Sequence, residues 1–163
     1  MKVLGIDPGT AACGYGVVER HGTRLRFVAD GTWRTKPRTP AAERLKVIFD
    51  GIGELVLEHQ PDAVAVEESV VGADPRIALF VGQARGVALV AAAHAGVTCS
   101  EYSPTRVKQT VCGYGRADKE QVGRMVQMIL KLEGAPGSTH AADALAVAIC
   151  HALASPLVEL GAR

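Results

Sequence analysis

The chain has 163 residues, of which 48% are hydrophobic and 21% are charged. This composition excludes the disordered class of proteins, which are poor in apolar residues and rich in charge, and the length suits one domain with its own core. The net charge is +1, so any binding of nucleic acid must depend on basic residues that are concentrated on one face.

The chain contains none of the uninterrupted apolar stretches of about 18 residues that cross membranes. It also opens directly on a strand pattern, without the features of a secretion signal. The cysteines are Cys13, Cys99, Cys112 and Cys150, whose spacing fits neither a CxxC pair nor a zinc site. We therefore expect a cytoplasmic protein with reduced cysteines, folded as one domain over residues 1–163 with a loose tail of about ten residues.

The first half of the chain alternates between strand and helix patterns. Turn residues separate three extended segments, as in a meander; these are residues 2–7, 14–19 and about 25–34. Apolar residues then recur at helical spacing, which predicts a helix from Thr39, with Thr39 as its cap and Pro40 in its first turn. The short apolar run 63–68 predicts a buried strand that ends in carboxylates.

A long helix, predicted over residues 74–94, is apolar on most of its circumference. Such a helix is either buried in a large core or packed against a second chain, and this domain is too small to bury it fully. We therefore expect a homodimer contact on this helix. One further strand and three helices complete the chain, predicted at residues 97–102, 103–112, 118–132 and 138–153. The order predicts an α/β fold with a mixed sheet flanked by helices.

Basic residues are concentrated in two stretches of the chain. The first stretch carries only Asp30 and Glu43 as acids and contains Arg20, Arg24, Arg26, Arg34, Lys36, Arg38, Arg44 and Lys46. The second stretch contains Arg106, Lys108, Arg116, Lys119 and Arg124. This distribution is compatible with a nucleic-acid surface and equally with the solvated faces of strands and helices.

Acidic residues stand where two apolar strands end. Because side chains alternate between the faces of a strand, both Asp7 and Glu67 end rows of small residues, which let another element approach closely. The last helix is rich in alanine and carries His140 and Asp143 on one face near its start. If the first and fourth strands are adjacent, these four side chains converge at one end of the sheet.

Close carboxylates repel one another and raise each other's pKa unless a cation lies between them. Mg²⁺ prefers oxygen ligands, and two such ions about 4 Å apart can activate water and stabilise the leaving oxygen of a phosphodiester. Taken singly, an aspartate at a strand end is usually a turn residue, and His140 can simply be a residue of the helix start. The combination of the four residues is what points to a metal site.

Five motifs in the right order resemble the RuvC-type Holliday junction resolvases. They are IDPG with Asp7, VEE with Glu67, GQARG at 82–86, VKQTVCGYGRADKEQV at 107–122 and HAADALAVAICH at 140–151. The resemblance implies a ribonuclease H-like fold with a mixed five-stranded sheet. It also implies a magnesium-dependent homodimer that acts in DNA recombination and repair with the RuvA and RuvB branch-migration complex. Such enzymes cut four-way junctions by paired symmetric nicks that leave 5′-phosphate and 3′-hydroxyl ends.

Carried over to this sequence, the resemblance assigns metal binding and catalysis to Asp7, Glu67 and Asp143. His140 stands where many members have an aspartate, and it could ligate metal as a neutral imidazole or move protons. The cofactor is expected to be Mg²⁺, two ions per active site, with Mn²⁺ as a substitute. Glu68 has the wrong strand phase and is left out of the metal site.

The resemblance also implies DNA and dimer contacts. Lys108 and Lys119 match basic positions that contact DNA, and Arg116 lies in the glycine-bearing loop between them. Relatives carry a stacking aromatic three positions after the glutamate, whereas Val70 here offers a wedge without the roughly 1 to 3 kcal/mol of base stacking. The dimer contact is expected at Leu79, Phe80, Gln83 and Val87.

Three other functions remain open from the sequence. GIDPGT also resembles the phosphate loop of actin-like and sugar-kinase ATPases, although that fold needs two such domains and this chain has length for one. A catalytically silent ribonuclease H-like scaffold would bind DNA without cutting it. A ribonuclease H or simple duplex nuclease would use the same carboxylates, but would not need the long apolar helix or the motifs after residue 107.

Overall fold

The structure is a computed structural model that describes residues 1–36, 38–68 and 74–154. These residues form a five-stranded sheet with helices on both faces, which confirms the predicted α/β fold. The strands are β1 (Lys2–Asp7), β2 (Ala12–His21), β3 (Arg24–Arg34), β4 (Ala63–Glu67) and β5 (Thr98–Tyr102). The helices are α1 (Ala41–His59), α2 (Pro75–His94), α3 (Pro104–Cys112), α4 (Lys119–Leu130) and α5 (Thr139–Leu153).

The sheet is mixed, and its strand order is β3-β2-β1-β4-β5. β1 and β3 run antiparallel to β2, whereas β4 runs parallel to β1 and β5 parallel to β4. The expected adjacency of the first and fourth strands is confirmed, because Val3 pairs with Ala63 and Ile6 with Val66. The carboxyl ends of β1 and β4 therefore meet at one edge of the sheet, which carries Asp7 and Glu67.

Alternation along the strands divides the core into two layers. Val3 and Ala65 pack in the layer that contains α3, α4 and α5. Leu4 and Val64 point the other way, into the layer that contains α1 and α2. Asp7 and Glu67 have the phase of the first layer, so the end of each strand presents its carboxylate to the side on which α5 lies.

α5 lies directly against the backbone of β1 and β2. A Cβ atom added to Gly5 would lie 2.1 Å from the carbonyl oxygen of Ala144, and one added to Gly14 would lie 2.1 Å from that of His140. Only glycine leaves room for this approach. The first turn of α5 is thereby held beside the end of β1.

Several sequence-predicted boundaries differ from the structure, and three of the differences have a clear physical cause. Thr39 does not cap α1, because Pro40 keeps an extended backbone (φ −52°, ψ 145°) and itself occupies the cap position. α4 ends at Leu130 instead of residue 132, because Lys131 adopts a left-handed conformation with φ 53°. The second strand is longer than predicted, because its pairing with β3 continues to both ends of Ala12–His21. The predicted tail after residue 154 lies outside the described residues.

The buried residues of α2 are all alanines. Ala84, Ala88, Ala91 and Ala92 are buried, whereas Ile77, Leu79, Phe80 and Val90 are exposed. By length and composition alone α2 could cross a membrane, with 20 residues and a mean hydropathy of 1.5. However, its alanines pack on the core, and Arg85 in its middle pairs with Glu101 of β5. The sequence predicts a contact with a second chain on this helix, and these exposed apolar side chains are available to it.

Gly5→Ala should destabilise the protein by at least about 1 to 3 kcal/mol, because the new methyl group meets the backbone of α5, which cannot rotate away. Gly53→Ala is the matched control, since nothing lies within 4 Å of its added Cβ and it sits inside α1. That control should raise stability by up to about 1 kcal/mol. Urea unfolding measures both changes, and equal shifts in the two variants would contradict the close packing of α5.

Candidate active site

Five side chains from four elements meet at the edge where β1 and β4 end. Asp7 ends β1, Glu67 ends β4, Lys119 begins α4, and His140 and Asp143 lie in the first turns of α5. All four residues expected to form the metal site are brought together, and Lys119 joins them. The cluster is held by the sheet on one side and by α5 on the other.

Asp7 and His140 form one pair in this cluster. Nδ1 of His140 lies 2.8 Å from Oδ2 of Asp7. The hydrogen bond to Asp7 raises the pKa of His140, and partial burial opposes this rise. The pairing therefore favours the charged imidazolium, which neutralises the Asp7 carboxylate.

Asp143 and Lys119 form the second pair. Nζ of Lys119 donates a hydrogen bond of 2.9 Å to Oδ2 of Asp143. The Asp143 side chain is 17% exposed, whereas that of Lys119 is 74% exposed. Burial raises the pKa of Asp143 in spite of the lysine, and the hydrogen bond to Asp143 raises the pKa of Lys119. Lys119 thus reaches from solvent into the cluster.

Glu67 has the most perturbed carboxyl group of the cluster. Its pKa is raised to about 8, first by burial and then by the charges of Asp7 and Asp143, while Lys119 opposes the rise. A hydrogen bond with Asp7 contributes to the same shift. At neutral pH, Glu67 is therefore largely protonated in the protein without a cation.

The chemistry of these donors fits a divalent cation. Asp7, Glu67 and Asp143 gather carboxylates in a poorly solvated place, where a cation that accepts oxygen ligands would relieve their repulsion. Within the described residues, no three acidic, histidine or cysteine side chains already form a complete ligand set. Lys119 contacts Oδ2 of Asp143 and His140 contacts Oδ2 of Asp7. A carboxylate has a second oxygen with which it can bind a cation.

The expected DNA-contacting residues are more widely spread. Lys108 is half-buried on α3, and Arg116 is exposed in the loop between α3 and α4. Of this group, only Lys119 enters the cluster. Val70 lies outside the described residues. Tyr114, 56% exposed in the same loop as Arg116, is a further candidate that the sequence patterns did not single out.

The expected dimer residues lie along α2. Leu79, Phe80 and Gln83 are exposed, whereas Val87 packs partly against the core layer that contains α1 and α2. Glu68 interacts electrostatically with Arg85 of α2 and contributes to its raised pKa.

A hydrogen-bond network that the sequence did not reveal fixes the turn after Asp7. Nε of Arg44 donates to the carbonyl of Thr10 at 3.1 Å and to Oγ1 of Thr35 at 2.9 Å, and Nη2 donates to Oγ1 of Thr10 at 3.1 Å. Oγ1 of Thr35 also donates to the carbonyl of Thr10 at 2.6 Å. Because the three residues are far apart in the chain, no local pattern could have indicated the network.

Comparison with known proteins gives concordant matches. Residues 3–151 match the family model for crossover junction endodeoxyribonuclease RuvC. The chain is 51% identical over 159 residues to that endonuclease from Chloroflexus aggregans, covering 98% of this chain and 97% of the relative. It is 52% identical over 150 residues to that from Heliobacterium modesticaldum, covering 92% of this chain and 93% of the relative.

Two solved structures have the same fold over nearly the whole chain. Thermus thermophilus RuvC is 42% identical, with a TM-score of 0.86 and coverage of 99% of this chain and 97% of that one. T. thermophilus RuvC in complex with a Holliday junction substrate is also 42% identical, with a TM-score of 0.90 and coverage of 99% and 96%. The fold and the sequence therefore agree on the same relatives.

In the presence of a chelator, the contribution of Glu67 to stability should be lost as the pH rises from about 4.5 to about 8. The folded protein keeps a proton on Glu67 that the unfolded chain releases at lower pH, so rising pH favours unfolding over this interval. Thermal unfolding across the interval measures this trend. Glu67→Gln is the control because it cannot titrate, and a pH dependence equal to that of the wild type would contradict the raised pKa.

Proposed function

The chain belongs to the RuvC family of crossover junction endodeoxyribonucleases, which are nucleases that resolve Holliday junctions. We propose that this protein resolves Holliday junctions by paired symmetric nicks. Hydrolysis of each phosphodiester would leave 5′-phosphate and 3′-hydroxyl ends. The observation that carries the assignment of the active site is the convergence of Asp7, Glu67 and Asp143 at one sheet edge. The relative from T. thermophilus, whose fold this chain shares, was solved with a Holliday junction substrate.

Membership of this family implies dependence on a divalent metal. The proposed cofactor is Mg²⁺, two ions per active site, with Mn²⁺ as a substitute, held by Asp7, Glu67 and Asp143. When bound, such ions activate water and stabilise the leaving oxygen. The raised pKa of Glu67 supports the proposal, because this carboxyl gains most from a nearby positive charge.

The positive side chains of the cluster have separate roles in this proposal. His140 orients the Asp7 carboxylate through Nδ1 and holds a proton at that atom. Lys119, once released from Asp143, is exposed enough to contact a DNA phosphate. Lys108 and Arg116 extend the contact with the DNA backbone, and Val70 serves as a wedge at the junction centre.

The proposed enzyme is a homodimer formed through α2. Two active sites related by a two-fold axis suit a junction that is itself two-fold symmetric. The exposed apolar side chains Ile77, Leu79, Phe80 and Val90 support this surface. Family membership supports a cytoplasmic place of action and a partnership with the RuvA and RuvB branch-migration complex.

Asp7→Asn should reduce cutting of a labelled mobile four-way junction by about 100-fold or more, since several kcal/mol of metal-dependent stabilisation are lost. Junction binding measured with chelator should persist, because asparagine keeps the shape and removes a negative charge. Glu68→Gln is the matched control, an adjacent acid next to Arg85, and should retain cutting. Full activity of Asp7→Asn would overturn the assignment, and binding without cutting by the wild type would indicate a silent scaffold.

Leu79→Glu should give monomers, because the charge would be buried at the proposed contact. Leu79 is 61% exposed, so the isolated fold should tolerate the change, and Leu57→Glu on α1, at 81% exposed, is the matched control. Sedimentation measures the oligomeric state, and a cruciform plasmid distinguishes single from paired nicks. A wild type that stays monomeric on junction DNA, or a Leu79→Glu variant that still makes paired nicks, would contradict the dimer.

A further inference from the structure

The structure divides the basic residues of the first stretch into occupied and available groups. Arg20 donates to the carbonyls of Gly22 and Ala152 at 2.8 and 2.6 Å. Arg26 pairs with Glu19, and Lys46 pairs with Asp50. Arg44 donates hydrogen bonds to Thr10 and Thr35. Within the described ranges, the exposed side chains of Arg24, Arg34, Lys36 and Arg38 make no hydrogen bond or ion pair. Arg24 lies at the far end of β3, and we call the other three, which are close together in the sequence, the β3 strip.

Arg34, the first residue of the β3 strip and the last residue of β3, lies on the active-site side of the sheet. Asp7 pairs with Gly14, which pairs with Thr32, so these residues form one row across three strands. Oγ1 of Thr32 lies 2.5 Å from Oγ of Ser138, the cap of α5, which places this row on the face of that helix. Arg34 is two residues beyond Thr32 and shares its face. Strand spacing and rise put its Cα about 12 Å from that of Asp7.

Hydrogen bonds also connect the strip to the turn that follows Asp7. The amide of Thr35, between Arg34 and Lys36, donates to the carbonyl of Ala11 at 3.0 Å. The side chain of Thr35 donates to the carbonyl of Thr10, and Arg44 bonds to both threonines. These bonds fix the position of the strip relative to the turn after Asp7. A ligand bound on the strip would therefore have a defined position relative to the active site.

The chemistry of the strip fits an extended polyanion. Its three cationic residues are each exposed, and Glu43 is the only acid between Arg34 and Lys46 in the sequence. A DNA strand offers a phosphate about every 3.4 Å along the helix axis, which suits such a row of cations better than one small anion does. We propose that the β3 strip binds the phosphate backbone of one duplex arm of the junction, beside the scissile phosphate. This inference rests on the proposed function.

The experiment measures the affinity for a labelled four-way junction against salt concentration, with chelator present to prevent cutting. The triple variant Arg34→Gln/Lys36→Gln/Arg38→Gln should lower the slope of log K against log salt by about 0.9 for each phosphate that the protein no longer neutralises. Arg34→Gln alone should lower it by about 0.9, and Arg34→Lys should restore it. Arg24→Gln is the matched control, an exposed arginine at the opposite end of the same strand, and should leave the slope unchanged.

Hydroxyl-radical footprinting measures which DNA positions the protein protects. A general loss of protein stability would not remove protection from one arm alone. The triple variant should lose protection on one arm beside the cut site and keep protection at the junction centre. An unchanged salt slope and footprint in the triple variant would overturn the strip as a DNA surface. Cutting by the wild type and by Arg24→Gln tests the proposed function separately, so failure of the strip would not be confused with failure of the nuclease assignment.

Discussion

The close packing of α5 against β1 and β2 is the constraint on which the site depends. Gly5 and Gly14 leave space for the carbonyl oxygens of Ala144 and His140, and any larger residue would push the helix outward. The same contact places His140 beside Asp7. Small residues in the core thus determine where the charged residues stand, although they take no part in the chemistry.

This packing has an electrostatic consequence. Glu67 at the end of β4 and Asp143 on α5 are partly removed from water and lie near the charge of Asp7, and burial together with this charge raises the pKa of both carboxyl groups. Glu67 responds with a pKa of about 8, and Asp143 and Asp7 are held by Lys119 and His140. A divalent cation bound at the proposed metal site would favour the charged forms of these two carboxyl groups.

The sequence predicted what depends on local periodicity. The faces of β1 and β4, and therefore the convergence of Asp7, Glu67 and Asp143, follow from alternation once the two strands are adjacent. Contacts between residues far apart in the chain could not be predicted from the sequence. No local sequence pattern indicates the Lys119–Asp143 pair or the hydrogen-bond network around Arg44. The pKa of Glu67 depends on burial beneath other elements, and the division of the basic residues depends on which partners the fold brings to them.

The most direct test is calorimetric titration of the metal-free protein with Mg²⁺ at neutral pH, in two buffers with different enthalpies of ionisation. Binding should release protons, because Glu67 must give up its proton to become a ligand. Glu67→Gln should bind more weakly and release fewer protons than the wild type. Metal binding without proton release, or with the same release in both proteins, would contradict the claim that crowded carboxylates form the metal site.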